Sequence, residues 1–207
     1  VVAPARLARK PARLSFTDAA ATPAATLTAW QALHEHGELR KGQSVLIHAA
    51  AGGVGSAAVQ LAKLAGAHVI GTASPGNREY VQSLGAAEVI DYHATDFAKQ
   101  VSDVDLVLDL VGGTTQARSW SVLKRGGILV STVSKPDTER GNKAQVTGKH
   151  FATRSDRPQL AALGALHASG DLRIHIDSVF SLPEASHALA RSMGGHVRGK
   201  VVLDMAA

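Results

Sequence analysis

The stretch His48–Val69, HAAAGGVGSAAVQLAKLAGAHV, decides the fold. Before it stands a short apolar run, Val45, Leu46 and Ile47, too brief for a buried helix and bounded by Gly42 and the alanines, which reads as a buried parallel strand. After the glycines, Val54, Ala57, Ala58, Leu61, Leu64 and Ala65 recur at helical spacing, and Gly66 closes the segment. The glycines therefore occupy a strand–turn–helix junction. Aligned to G-x-G-x-x-G, the motif covers Ala50, Ala51, Gly52, Gly53, Val54 and Gly55, with alanine in place of the first glycine. That departure requires a negative φ at residue 50. Gly52 would then admit close approach of a pyrophosphate, Gly55 would let the helix pack on the sheet, and the anion would rest on free N–H groups at the helix N-terminus.

Working outward, Asp18–His36 reads as a helix, with Thr22 as cap before Pro23 in the first turn and Gly37 beyond the end. Downstream the cycle repeats: AHVIGTAS strand, GNREYVQSLGA helix, EVIDY strand, TDFAKQVSD helix, VDLVLDLV strand, TTQARSWSVLK helix, GGILVSTV strand, and AQVTGKHFAT as a sixth strand. Such alternation implies right-handed crossovers and a parallel sheet covered on both faces, the doubly wound α/β plan. SKPDTERGNK, Ser134–Lys143, is polar throughout and reads as a surface loop. Gln159–Ser169 is a further helix, LRIHIDSVFSL is extended, PEASHALARSMGG is helical from Pro183, and GKVVLDM is a closing strand. This tail breaks the βα repeat and reads as a return to another domain.

The 207 residues suffice for one large domain, and 45% apolar with 19% charged residues is ordinary for a globular chain. No apolar run approaches the ~20 residues of a membrane helix. Without cysteine there is neither disulfide nor thiolate chemistry, and the ten histidines show no metal spacing with carboxylates. A net charge of +5 suits an anionic partner. Dispersed basic residues and only 4% aromatics argue against nucleic acid. The Arg-rich opening, VVAPARLARKPARLSF, resembles a transit peptide superficially; a strand and connector entered part-way is the better reading, and the expected location is cytoplasmic.

NAD-preferring versions of the fold carry an acid about 20 residues beyond the turn, on the ribose 2′-OH. Here that count falls on Thr72, Ala73 and Ser74, followed by Asn77 and Arg78. Hydroxyls and a guanidinium accommodate a 2′-phosphate that an Asp would repel, which favours NADPH.

The segments LSFTDAAATPAATLTAWQAL, VLIHAAAGGVGSAAVQLAKLAGAHVIGTAS, GAAEVIDY, VDLVLDLVGG, LKRGGILVS and GHVRGKVVL together resemble the medium-chain dehydrogenase/reductase superfamily, in its zinc-free quinone oxidoreductase branch. The resemblance implies a Rossmann-type sheet of about six strands with cofactor contacts at Thr28, Ala51, Gly52, Gly53, Val54, Gly55, Ser74, Arg78, Tyr92, Gly112 and Ser131. Of these, Thr28, Gly112 and Ser131 would edge the nicotinamide crevice, while Ser74, Arg78 and Tyr92 would surround the 2′-phosphate. It further implies a catalytic domain of which residues 1–18 are the last strand and connector and residues 172–207 the return, leaving 19–171 as the NADP-binding domain. The expected activity is zinc-independent hydride transfer from NADPH to a small electrophilic acceptor, a quinone or an α,β-unsaturated carbonyl. Two other readings are a zinc-dependent alcohol dehydrogenase with its ligands upstream and a non-catalytic NADPH-binding module. Asp109, near the end of its strand, is read as a structural hydrogen-bonding group ahead of a general acid. The sixth strand, as a sheet edge, suits a homodimer.

Overall fold

The computed structural model describes residues 2–205. Six parallel strands, β1 (Ser44–Ile47), β2 (His68–Ala73), β3 (Glu88–Asp91), β4 (Val104–Asp109), β5 (Leu123–Ser131) and β6 (Thr147–His150), form one sheet in the order β3-β2-β1-β4-β5-β6. The order reverses between β1 and β4, where Ile47 pairs with Gly71 on one side and Leu108 on the other. Dinucleotides bind at such a reversal, beyond the carboxyl ends of the strands. Val45, Leu46 and Ile47 have no exposed surface, as a strand buried on both faces requires.

Helices clothe both faces. α1 (Phe16–Trp30), α2 (Gly53–Leu64), α3 (Arg78–Ser83) and α7 (Arg157–Ser169) share a core with Val45, Ile47, Val69 and Leu108. On the other face α4 (Phe97–Gln100), α5 (Gly113–Ser119) and α6 (Thr138–Ala144) lie along a second core built from Leu46, Ile70, Val107, Leu129, Phe97 and Trp120. A separate two-stranded parallel sheet joins β7 (Ile176–Ser181) to β8 (Lys200–Asp204), linked by α8 (Ala185–Met193).

Three local expectations are corrected. The first helix starts at Phe16, capped by Ser15, whose Oγ accepts from Asp18 N and donates to Asp18 Oδ2; Pro23 lies inside it and Thr22 is not its cap. Thr22 instead donates its hydroxyl to Asp18 O, and the alanine-rich, buried face outweighs the one backbone bond that Pro23 forfeits. Within the expected 134–143 loop, α6 forms because Asp137 accepts from Arg140 N and Gln145 closes the end in a left-handed conformation. Its Gly141 packs on the Trp120 ring, where a Cβ would come within 3.1 Å. Among the described residues 2–15, a short 3-10 turn, Pro4–Arg6, and a turn closed by Leu14 N on Pro11 O stand in place of the expected strand, which the prolines at 4 and 11 interrupt.

Candidate functional site: the crevice beyond β1 and β4

The turn after β1 stays tied to both neighbours, His48 N donating to Leu108 O and Ala50 N to Thr72 O, before it lifts into α2. Ala50 keeps a negative φ; the left-handed residue is Ala49, at φ 50°. Gly52 N donates to Ala49 O, and the first helical bond runs from Ser56 N to Gly52 O. The N–H groups of Gly53, Val54 and Gly55 therefore have no acceptor in the helix and present a partial positive charge. The three glycines serve different ends. A Cβ on Gly55 would overlap the Ala49 carbonyl and approach Ala50 Cα to 2.8 Å, so Gly55 permits helix-on-strand packing. One on Gly53 would overlap the Lys200 side chain and lie 3.0 Å from Gly199 O. At Gly52 the nearest atom is Ala49 O at 3.4 Å, ordinary contact, so the space over Gly52 is open for a ligand's phosphates. The turn fits a dinucleotide.

On one side of the turn lies a cavity of about 360 Å³, lined by His48, Thr72, Tyr92, Phe97, Thr115 and Arg118. Tyr92 is 44% exposed at its rim, and its N–H donates to Ala73 O, which places it beside Ser74. Ser74 Oγ accepts from Asn77 Nδ2 at 2.9 Å, and exposed Arg78 opens α3 four residues on. Ser74, Arg78 and Tyr92 thus gather at the ends of β2 and β3, where β2 ends in Ala73 without a carboxylate. A larger cavity, about 660 Å³, lies elsewhere, between the C-terminal halves of α2 and α3 and residues 170–175.

His48, between turn and cavity, was not singled out by its pattern. Its Nδ1 pairs with Thr72 Oγ1 at 3.1 Å and its Nε2 with Ser119 Oγ at 3.0 Å. Burial pushes its pKa down to about 4, against a smaller opposing effect from the Asp109 charge. The unfolded chain, titrating near 6.5, binds the extra proton first, so stability is full above that pH and falls as pH drops toward 4. The total loss is about 3 kcal/mol from this group. Urea unfolding between pH 7 and pH 4.5 should show a slope that His48→Gln flattens; equal slopes in both proteins would refute the assignment.

On the other side, Asp109 organises the ends of β4 and β5. Its Oδ1 accepts from Val111 N and Gly112 N, and its Oδ2 from Gln116 Nε2 and Ser131 Oγ at 2.9 and 2.8 Å. With every contact structural, it acts as a buried bracket. Ser131 is fully buried; beyond donating to Asp109 it accepts from Val133 N and Ser134 N, so it shapes the crevice through the 132–134 loop. Gly112 adopts φ 79° between Asp109 and α5. Thr28, on α1, bonds Thr153 Oγ1 at 2.6 Å just past β6. Gly112 and Ser131 are thus joined through Asp109 at the ends of β4 and β5, with Thr28 on α1 tied to the segment after β6. Among the described residues no three metal-ligating side chains come together, and no helix is long and apolar enough to cross a membrane.

A reversed parallel sheet with an anion-ready turn at the reversal defines an NAD(P)-binding domain of the dehydrogenase type. The family profile described as zinc-binding dehydrogenase matches residues 84–203. A probable zinc-binding mitochondrial oxidoreductase of Arthroderma benhamiae is 37% identical over 95% of the chain, which spans 65% of that relative. The solved quinone oxidoreductase of Coxiella burnetii superposes with a TM-score of 0.89 at 41% identity, over 94% of this chain and 62% of that one. The CurK enoyl reductase does so at 0.82 and 31%, over 94% and 65%. The chain belongs to the medium-chain dehydrogenase/reductase superfamily, in its quinone oxidoreductase branch. It spans just under two thirds of these relatives' length.

Proposed function

We propose that the protein is an NADPH-dependent, zinc-independent oxidoreductase reducing a quinone or an α,β-unsaturated carbonyl. The observation that carries the cofactor choice is the end of β2, where Ser74, Asn77 and Arg78 stand at the positions an NAD-preferring acid would take, with acids only at Glu79, the next residue of α3, and at Asp91, opposite Ala73 on β3. The Gly53, Val54 and Gly55 N–H groups, with Ala51 and Gly52 in the same turn, would hold the pyrophosphate, Ser74, Arg78 and Tyr92 the 2′-phosphate, and the cavity between His48, Tyr92 and Arg118 the adenine. Thr28, Gly112 and Ser131 border the nicotinamide end. When bound, the cofactor supplies the hydride; the chain fixes its distance and orientation and excludes water. The quinone oxidoreductase and enoyl reductase names of the relatives support the acceptor class. We assign 19–171 to the cofactor domain and 1–18 and 172–207 to a second domain, consistent with the separate β7–β8 sheet. A cytoplasmic setting is part of the same proposal.

Calorimetric titration should give tighter binding of NADPH than NADH, and a quinone should be consumed with NADPH oxidation. Binding without acceptor-dependent oxidation would favour the non-catalytic module. A homodimer through the free edge of β6 (Thr147–His150), the outer strand of the sheet, is proposed as well; monomeric mass by light scattering across micromolar concentrations would refute it.

A further inference from the structure

We propose that Arg198, delivered by the C-terminal return, is a specificity-determining residue for the 2′-phosphate of the cofactor; this rests on the NADPH reading above. The chain after α8 passes directly beside the glycine turn. Gly199 N donates to Ala51 O at 3.0 Å, Gly199 bridges Gly52, and Lys200 N donates to His175 O. Gly199 is pinned there: its φ is 71°, and a Cβ would overlap the His175 carbonyl. Its neighbour Arg198 is consequently aimed at the turn between β2 and α3. Arg198 Nε donates to Asn77 Oδ1 at 2.8 Å and Nη2 donates to Gly76 O at 3.0 Å, with the guanidinium 4.9 Å from the centre of the Tyr80 ring. Asn77 in turn donates to Ser74 Oγ, so a chain of hydrogen bonds joins the guanidinium to the first residue after β2.

The cation is fixed but not neutralised. Among the described residues no carboxylate pairs with it; Asp177 accepts from its backbone N–H at 3.4 Å and is itself engaged by the guanidinium of Arg191. Two of the five donors of Arg198 are spent on neutral oxygens, which leaves the others for an anion. Arg78 brings a second positive charge to the same turn. The Arg198 guanidinium beside the Ser74 hydroxyl, with Arg78 at the start of α3, forms a receptor for a phosphate dianion, and a planar guanidinium held at two points loses little freedom on binding it.

The test is calorimetric titration of wild type, Arg198→Gln and Arg198→Lys with NADPH, NADH and the fragment pair 2′,5′-ADP and 5′-AMP, with thermal unfolding alongside. Arg198→Gln should weaken NADPH and 2′,5′-ADP about tenfold while NADH and 5′-AMP move less than twofold, and Arg198→Lys should recover part of the loss. Equal weakening of both members of each pair would show that Arg198 only clasps the return to the turn, and unchanged affinities would remove it from the site; either overturns the proposal. Wild type binding NADH as tightly as NADPH would instead overturn the cofactor reading itself.

Discussion

Gly52→Val is expected to weaken dinucleotide binding about a hundredfold, some 2.7 kcal/mol, with little loss of fold stability. Gly52 has an ordinary φ of −72°, and its missing Cβ would touch only Ala49 O at 3.4 Å, so the backbone there admits a side chain. It fills the space that the phosphates need. The cost to the fold is about 1 kcal/mol, from a β-branched residue at the helix cap. Gly55→Ala should behave in the opposite way, because its Cβ drives into the backbone of Ala49 and Ala50. About 3 kcal/mol of stability should go with it, the cost of overpacking a rigid helix–strand contact. Calorimetry and thermal unfolding on both variants separate ligand approach from packing; retained affinity in the folded Gly52→Val protein would show that phosphates do not lie over residue 52.

Asp109→Ala is the largest stability effect expected. Both carboxylate oxygens are buried, and four donors, two backbone and two side-chain, converge on them. Removing the acceptor strands these donors away from water, at about 3–5 kcal/mol. For a domain of this size that corresponds to a fall in Tm of roughly 10 °C. Loosening of Gly112 and of the loop after Ser131 should accompany it, since one side chain holds both. An unchanged denaturation midpoint would show that the bracket carries no weight.

The doubly wound architecture was legible because its signals are local. A buried apolar run such as Val45–Ile47, a glycine turn and an amphipathic helix each declare themselves within a dozen residues. The errors arose where local chemistry is ambiguous. Pro23 resembles a first-turn residue until Ser15 and Asp18 are seen to cap the helix about two turns earlier, and Asp137 starts a helix inside a polar stretch that composition assigns to a loop. For the candidate site, local signals give positions only. Ser74 and Arg78 follow from counting past the glycine turn and Tyr92 from the family resemblance, and all three lie at or just past the ends of β2 and β3, whereas His48 meets Ser119 across 71 positions and Arg198 meets Asn77 across 121. No periodicity encodes such contacts.

The β7–β8 ribbon has a consequence for motion. A two-stranded sheet is marginal by itself, and this one is held to the larger sheet's body by Gly199 at the glycine turn and by Val202 and Ile176, which pack on the main core. Its amides should therefore exchange with deuterium through sub-global openings that leave the six-stranded sheet intact. Because Arg198 and Gly199 travel with the ribbon, each opening dismantles one wall of the phosphate receptor. Anything bound across that wall would hold the ribbon shut, so exchange protection at residues 176–181 and 200–204 becomes a gauge of occupancy at a crevice that the ribbon borders only at Lys200, over Gly53.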